Sequence, residues 1–188
     1  KRNINNENIF DINRLGLTDS LEAGKSLTAG LEYKKEKLED INKYFELKLA
    51  TVFRDKEETF IPKTSTLNKK TSNLFGSLSN NFSDKFNVKY DFALNNNLNT
   101  FDYNKISSTI SLNNLVTEFS FIEEGGDIGS TNTFANKSKY IFDENNSISF
   151  KTRRNRKINL TEYYDLIYEY QNDCLTAGIK YNKTYYED

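Results

Sequence analysis

Apolar and polar side chains alternate along most of this chain with a period of two. The pattern is unbroken from Phe86 to Asn95. Phe86, Val88, Tyr90, Phe92 and Leu94 fall on one side; Asn87, Lys89, Asp91, Ala93 and Asn95 fall on the other. Successive side chains of an extended strand point to opposite faces, so this segment predicts a strand with one apolar face. Nine further segments repeat the pattern, around Leu27–Tyr33, Phe45–Phe53, Leu74–Phe82, Ile106–Leu112, Thr117–Phe121, Ser138–Phe142, Ile148–Thr152, Tyr164–Tyr170 and Leu175–Tyr185. Strand length decides what kind of sheet they build. Tyr44 to Arg54, Lys85 to Asn95 and Leu160 to Gln171 each run about ten residues. Soluble strands have a mode of roughly 5–6 residues, whereas tilted membrane strands need about 9–11.

The links between strands alternate in length. Ser83-Asp84-Lys85, Asn113-Asn114, Asp143-Glu144-Asn145 and Asn172-Asp173 are tight polar turns of the kind Asn and Asp favour. Between them lie longer links, Lys56 to Thr71, Asn96 to Phe101, Glu124 to Asn132 and Arg154 to Asn159, and the single proline, Pro62, falls in the longest. The first link, Lys35 to Lys43, reads as intermediate. Short turns on one rim and long loops on the other are the signature of an outer-membrane barrel. The predicted fold is therefore all-β: an up-and-down antiparallel transmembrane β-barrel segment of about ten strands. Residues 1–188 form part of one barrel domain, seen as an open curved sheet.

Composition narrows the function. Lys and Arg (26) nearly balance Asp and Glu (27), which argues against a nucleic-acid binder. Fourteen Phe and twelve Tyr set the chain apart from disordered polar sequences. There is no His, so the commonest general base and metal ligand are missing, and the single Cys174 gives neither an internal disulfide nor a cysteine zinc site. No catalytic, metal or cofactor residues are predicted. The absence of Met marks a processed product or a piece of a longer chain, and residues 1–6 have no signal-peptide character. Read on pattern alone, the sequence fits several roles: a porin or other outer-membrane transport barrel, an outer-membrane hydrolase or acyltransferase, or a soluble β-rich adhesin. Zero His counts against the enzymes.

Two landmarks carry a family resemblance. Asn13-Arg14-Leu15-Gly16-Leu17-Thr18-Asp19-Ser20-Leu21-Glu22-Ala23-Gly24 resembles the "(N)RF-SG-DR" loop of LptD, the lipopolysaccharide (LPS) assembly family of the outer membrane. Ser26-Leu27-Thr28-Ala29-Gly30-Leu31-Glu32-Tyr33 fills the place of that family's "xLTYGLxxR" strand. Late in the chain, the run from Tyr168 through Cys174 to Tyr181 is similar to its "YxxxxCCWxxxLxY" hairpin. The departures are the third loop residue, the reduction of paired cysteines to Cys174, the lack of Trp, and an ending without an aromatic final strand.

The resemblance implies an internal slice of the barrel, without the periplasmic domain, the first strands and the closing strands. It further implies non-enzymatic insertion of LPS into the outer leaflet of a Gram-negative outer membrane. The implied partners are LPS, a lipoprotein plug in the lumen and a periplasmic LPS bridge. Cys174 is implied to pair with a cysteine outside this chain; read from the residues alone it is an unpaired thiol at a strand start. Phe86, Val88, Tyr90, Phe92 and Leu94 are expected to face lipid, with Lys48, Lys89, Asp91 and Glu169 on a polar inner face. Lys151, Arg153, Arg154, Arg156 and Lys157 form a basic run suited to phosphate, or else a solvated strand end. Glu124-Gly125-Gly126-Asp127-Ile128-Gly129 lacks the Lys-Ser/Thr of a phosphate loop and reads as a flexible outer link. Tyr44, Phe45, Tyr163, Tyr164, Tyr185 and Tyr186 are expected in an aromatic girdle.

Overall fold

The computed structural model describes residues 4–16 and 22–185. Ten strands form one antiparallel sheet: β1 (Ser26–Lys37), β2 (Asp40–Arg54), β3 (Leu74–Ser83), β4 (Phe86–Leu94), β5 (Phe101–Leu112), β6 (Leu115–Glu124), β7 (Asn132–Ile141), β8 (Asn146–Asn155), β9 (Leu160–Gln171) and β10 (Thr176–Thr184). Their order in the sheet is their order in the chain, and β1 does not pair with β10, so the sheet is open.

The register stacks the apolar positions into rows. Tyr33, Leu47, Leu78, Tyr90, Ile106, Phe121 and Phe134 form one row across β1–β7. Leu112, Leu115, Tyr140, Ile148, Tyr168 and Ile179 form another across β5–β10. A slip of one residue in any pair would send that strand's apolar set to the other side, which is why the alternation specifies register so strongly. These rows line what we call the open face, where Leu31, Ile106, Tyr140 and Ile179 are all exposed.

Tight turns hold the register. At the β7–β8 turn, Asp143 Oδ1 accepts the backbone N–H groups of Asn145 and Asn146, both at 2.9 Å. Asn113 turns the β5–β6 hairpin with φ of 48°, a conformation Asn tolerates. The first link differs from the expectation. Strand pairing continues to Lys37↔Asp40, leaving Leu38 and Glu39 as a two-residue turn. Charged residues on both sides of β1's end hid the alternation there. With that correction the first hairpin is short as well, but the alternation of lengths ends at β7: the β8–β9 link, read from the sequence as long, spans only 156–159, no longer than the turns 142–145 and 172–175 on either side.

The hydrophobic core lies on the opposite, covered face. Ala50, Val52, Phe75 and Ala93 project from β2–β4 and meet Ile4 and Ile9 of the N-terminal segment, Ile61 and Leu67 of the β2–β3 link, and Ile128 of the β6–β7 link. The sequence pattern points to a polar inner face carrying Lys48, Lys89, Asp91 and Glu169. On β2–β4 it is apolar toward the long links, where segments of the chain fold back and need apolar ground to land on. The β2–β3 link is fixed by backbone bonds, Arg54 N to Lys70 O at 2.7 Å and Ser72 N to Val52 O at 2.9 Å, so it returns along β2. Phe10 packs against Gly30, where an added Cβ would lie 2.6 Å from its ring. The glycine-rich link 125–131 is not a free outer loop either. Ile128 is buried, Gly125 N–H donates to Asp102 O at 2.9 Å, and Asp127 pairs with Lys69 at 2.9 Å.

Candidate functional site

Arg14, the central residue of the loop singled out from the sequence, is buried at the long-link end of the covered face. Its guanidinium spends every donor. Nε and Nη2 donate to Glu22 Oε2 and Oε1, each at 2.6 Å. Nη1 donates to Ile9 O (3.1 Å) and Thr28 Oγ1 (2.8 Å), and Nη2 also to Ser26 Oγ (3.0 Å). Arg54, at the end of β2, adds a second cation: it pairs with Glu22 and donates from Nη1 to Ala23 O at 2.8 Å. One carboxylate thus ties the N-terminal segment, the entry to β1 and the end of β2 together. Burial pushes the Arg14 guanidinium below arginine's ordinary value, yet the bidentate carboxylate keeps its charge compensated. Residues 17–21 of the loop motif lie outside the described residues.

A cavity of about 350 Å³ lies between the N-terminal segment and β2–β5. Its wall is a ladder of opposite charges. Lys48 Nζ lies 3.2 Å from Glu46 and 3.5 Å from Glu32; Lys89 Nζ lies 3.0 Å from Glu7 and 3.5 Å from Asp91. Ser77 Oγ donates to Asp91 at 2.7 Å. The Lys89 ammonium, hydrogen-bonded to Glu7, holds that carboxyl below its usual range. Lys48, Lys89 and Asp91 therefore share the covered face as expected, and Glu169 lies on the same side, 3.8 Å from Lys139.

Phe86, Val88, Tyr90, Phe92 and Leu94 all project from the open face of β4. Charge on that face is confined to strand ends: Lys35 and Lys43 near the short turns, and Glu123, Arg154 and Lys183 near the long links. Polar side chains do occur between them, and several satisfy one another. Asn136 Nδ2 donates to Thr117 Oγ1 (3.0 Å) and Glu118 O (3.2 Å), while Ser138 Oγ donates to Asn136 Oδ1 (3.1 Å). Paired in this way, those groups are less costly to place against an apolar medium.

The expected girdle residues are split by strand alternation. Tyr44 lines the cavity and Tyr163 lies under Arg153, both on the covered side, whereas Phe45 and Tyr164 are on the open face. Tyr185 packs edge-on to Tyr164, with centroids 6.0 Å apart; Tyr186 lies outside the described residues. Other aromatics cluster toward both ends. Phe82 stacks on Phe86 (5.2 Å) and Tyr140 meets Phe142 (5.1 Å) toward the short turns; Phe92 meets Phe101 (5.8 Å) and Phe119 meets Phe134 (6.1 Å) toward the long links.

The basic run does not converge. Lys151 and Arg153 face the covered side, opposite Asp165 and beside Glu162, while Arg154 faces the open side and Lys157 sits in the turn. Cys174 is exposed in the β9–β10 turn, its N–H bonded to Asn172 Oδ1 at 3.0 Å. The roles of Arg54 and Glu7 were not foreseen, because each acts through a contact far along the chain; Glu22 lay inside the loop motif, but its pairing with Arg54 was not legible there. Among the described residues no helix is long and apolar enough to cross a membrane, which leaves strands as the means of crossing open.

Comparison with known proteins matches residues 2–124 to the family model described as LptD, LPS transport system D. No curated protein matches the chain. The matched span runs from the arginine loop through β6 and includes Arg14, Glu22, Arg54 and the charge ladder. Strands β7–β10 continue the same sheet in the same up-and-down order. With well over half of its 188 residues matched, this chain belongs to the LPS transport system D (LptD) family.

Proposed function

We propose that this chain builds part of the wall of an outer-membrane β-barrel that inserts LPS into the outer leaflet of a Gram-negative bacterium. The observation that carries the reading is the coincidence of the family match with a ten-stranded up-and-down sheet whose open face is apolar between charged strand ends. Closed antiparallel sheets of this kind satisfy every backbone group inside a membrane. The open face, with Phe86, Val88, Tyr90, Phe92 and Leu94, lies against lipid. The covered face lies toward the lumen, and the N-terminal segment and the two long links narrow it from the external side. The rest of the lumen is left to a lipoprotein plug, and LPS arrives from a periplasmic bridge protein. Cys174, on the short-turn rim, forms a disulfide with a periplasmic cysteine outside this chain. The work is transport, with no catalytic step.

The test is depletion of the full-length protein in its host, with newly made LPS followed to the cell surface. Loss of surface delivery, restored by re-expression, is the expected result. Undiminished delivery after depletion would overturn the proposal.

A further inference from the structure

The sheet sorts the five cations between 151 and 157, and the sorting isolates a rim on the open face. Lys151 and Arg153 on the covered side have acids near them, Asp165 and Glu162. Arg154 is in register with Phe134, an open-face position, and its Nη2 donates to Asn159 Oδ1. Arg156 follows β8. Its N–H donates to Asn132 O at 2.8 Å, and its guanidinium lies 5.4 Å from the centroid of Phe121, again on the open face. Among the described residues neither arginine has a carboxylate within ion-pair distance. The open-face acid on this rim is Glu123, already engaged by Asn132 Nδ2 at 3.1 Å. Lys157 in the adjoining turn adds a third positive charge.

This rim sits where apolar wall gives way to the long links. Arg156 lays its guanidinium over an aromatic ring there, Arg154 stands beside it, and a guanidinium's forked donors match two oxygens of a phosphate. Below them the open face continues through Phe119, Phe150 and Leu166, which suits acyl chains rather than water. We propose that Arg154, paired across the sheet with Phe134, and Arg156, over Phe121, bind the phosphorylated headgroup of a lipid in the surrounding leaflet, as LPS presents it. The occupant is a lipid and not free phosphate, because the charged rim and the apolar strip are continuous. The inference rests on the reading of the open face as the lipid side.

Full-length protein, purified in a zwitterionic detergent, is mixed with bisphosphorylated lipid A, and retained lipid is counted by native mass spectrometry. Dephosphorylated lipid A and inorganic phosphate are the comparison ligands. The double variant R154Q/R156Q should retain lipid A about tenfold less or worse, E123Q should retain more, and R153Q on the covered face should stay near the native level. Dephosphorylated lipid A should behave like the double variant, and inorganic phosphate should not displace lipid A. Native-level retention by R154Q/R156Q, an equal loss in R153Q, or displacement by inorganic phosphate would each overturn the site. This binding readout is independent of surface delivery. If delivery fails on depletion while the variants bind normally, only the rim site falls; the reverse outcome removes the transport reading and leaves the site.

Discussion

Phe92 lays its ring across Gly76 on the neighbouring strand, so that a β-carbon added at Gly76 would lie 2.0 Å from the ring's Cζ, far inside contact distance. Glycine weakens a strand by leaving nothing to pack, and an aromatic ring from the paired strand covers the gap. The ring is fixed in turn by Tyr90, 5.4 Å away, and by Phe101, 5.8 Å away. Gly76→Val should therefore evict Phe92 and cost about 1–3 kcal/mol, the usual penalty of overpacking. Urea unfolding of the full-length protein in lipid vesicles measures it. Unchanged stability would mean that the ring does not depend on the glycine.

The Arg14–Glu22 pair should behave as a buried ion pair. Both side chains are almost fully shielded, at 7% and 10% exposure. Removing one partner strands the other's charge, which typically costs about 3–5 kcal/mol. Glu22→Gln should loosen the N-terminal segment, seen as new protease cleavage within residues 4–16, and Arg14→Lys should not rescue it because lysine lacks the fork. A cleavage pattern identical to the native one in Glu22→Gln would contradict the assignment.

Acid should release the N-terminal segment from Lys89. The Glu7 carboxyl is held below its ordinary 4.5 by the Lys89 hydrogen bond. A lowered folded-state pKa gives stabilisation that is complete above the unfolded value and lost as pH falls through the folded one. Glu7 is largely exposed, so the energy is small and only the direction is informative. Fluorescence from a probe on residue 7's neighbours should be flat above pH 5 and change below 4.5, and Glu7→Gln should abolish the change. A transition that persists in Glu7→Gln would assign it elsewhere.

Cys174 should be oxidised in the full-length protein. It is exposed on the short-turn rim, free of any bridge within this chain. A bond closing a loop of hundreds of residues constrains the unfolded chain by roughly 4–5 kcal/mol in the chain-entropy model. Non-reducing electrophoresis of the native protein and Cys174→Ser should show different mobilities, equalised by reductant. Identical mobility under both conditions would mean a free thiol.

The strands were legible because period-two alternation is a local signal that survives in every segment from Leu27 to Tyr181. The length of the β2–β3 link was legible as well, but its destination was not. Ile61, Leu67 and Ile128 look like scattered apolar residues in loops; their burial depends on meeting Ile4 and Ile9 from the far end of the chain. The same holds for Glu22 and Arg54, which have meaning only beside Arg14. The basic run divides for a different reason: adjacency in sequence became opposition in space, since neighbouring strand residues point to opposite faces. Alternation also split Tyr44 from Phe45 and Tyr163 from Tyr164, which proximity in sequence had placed in one girdle.

Labelling along β4 tests the central claim most directly. In a Cys174→Ser background, single cysteines from Val88 to Ala93 would carry a fluorophore in the full-length protein folded in vesicles. Positions 88, 90 and 92 should be quenched by lipid-borne quenchers, and positions 89, 91 and 93 should not. Tyr90→Arg should then destabilise the barrel by about 2–4 kcal/mol near mid-membrane, with Asp91→Asn costing far less. Equal lipid quenching at all six positions, or quenching at 89, 91 and 93 instead, would contradict the assignment of this sheet's open face to the membrane.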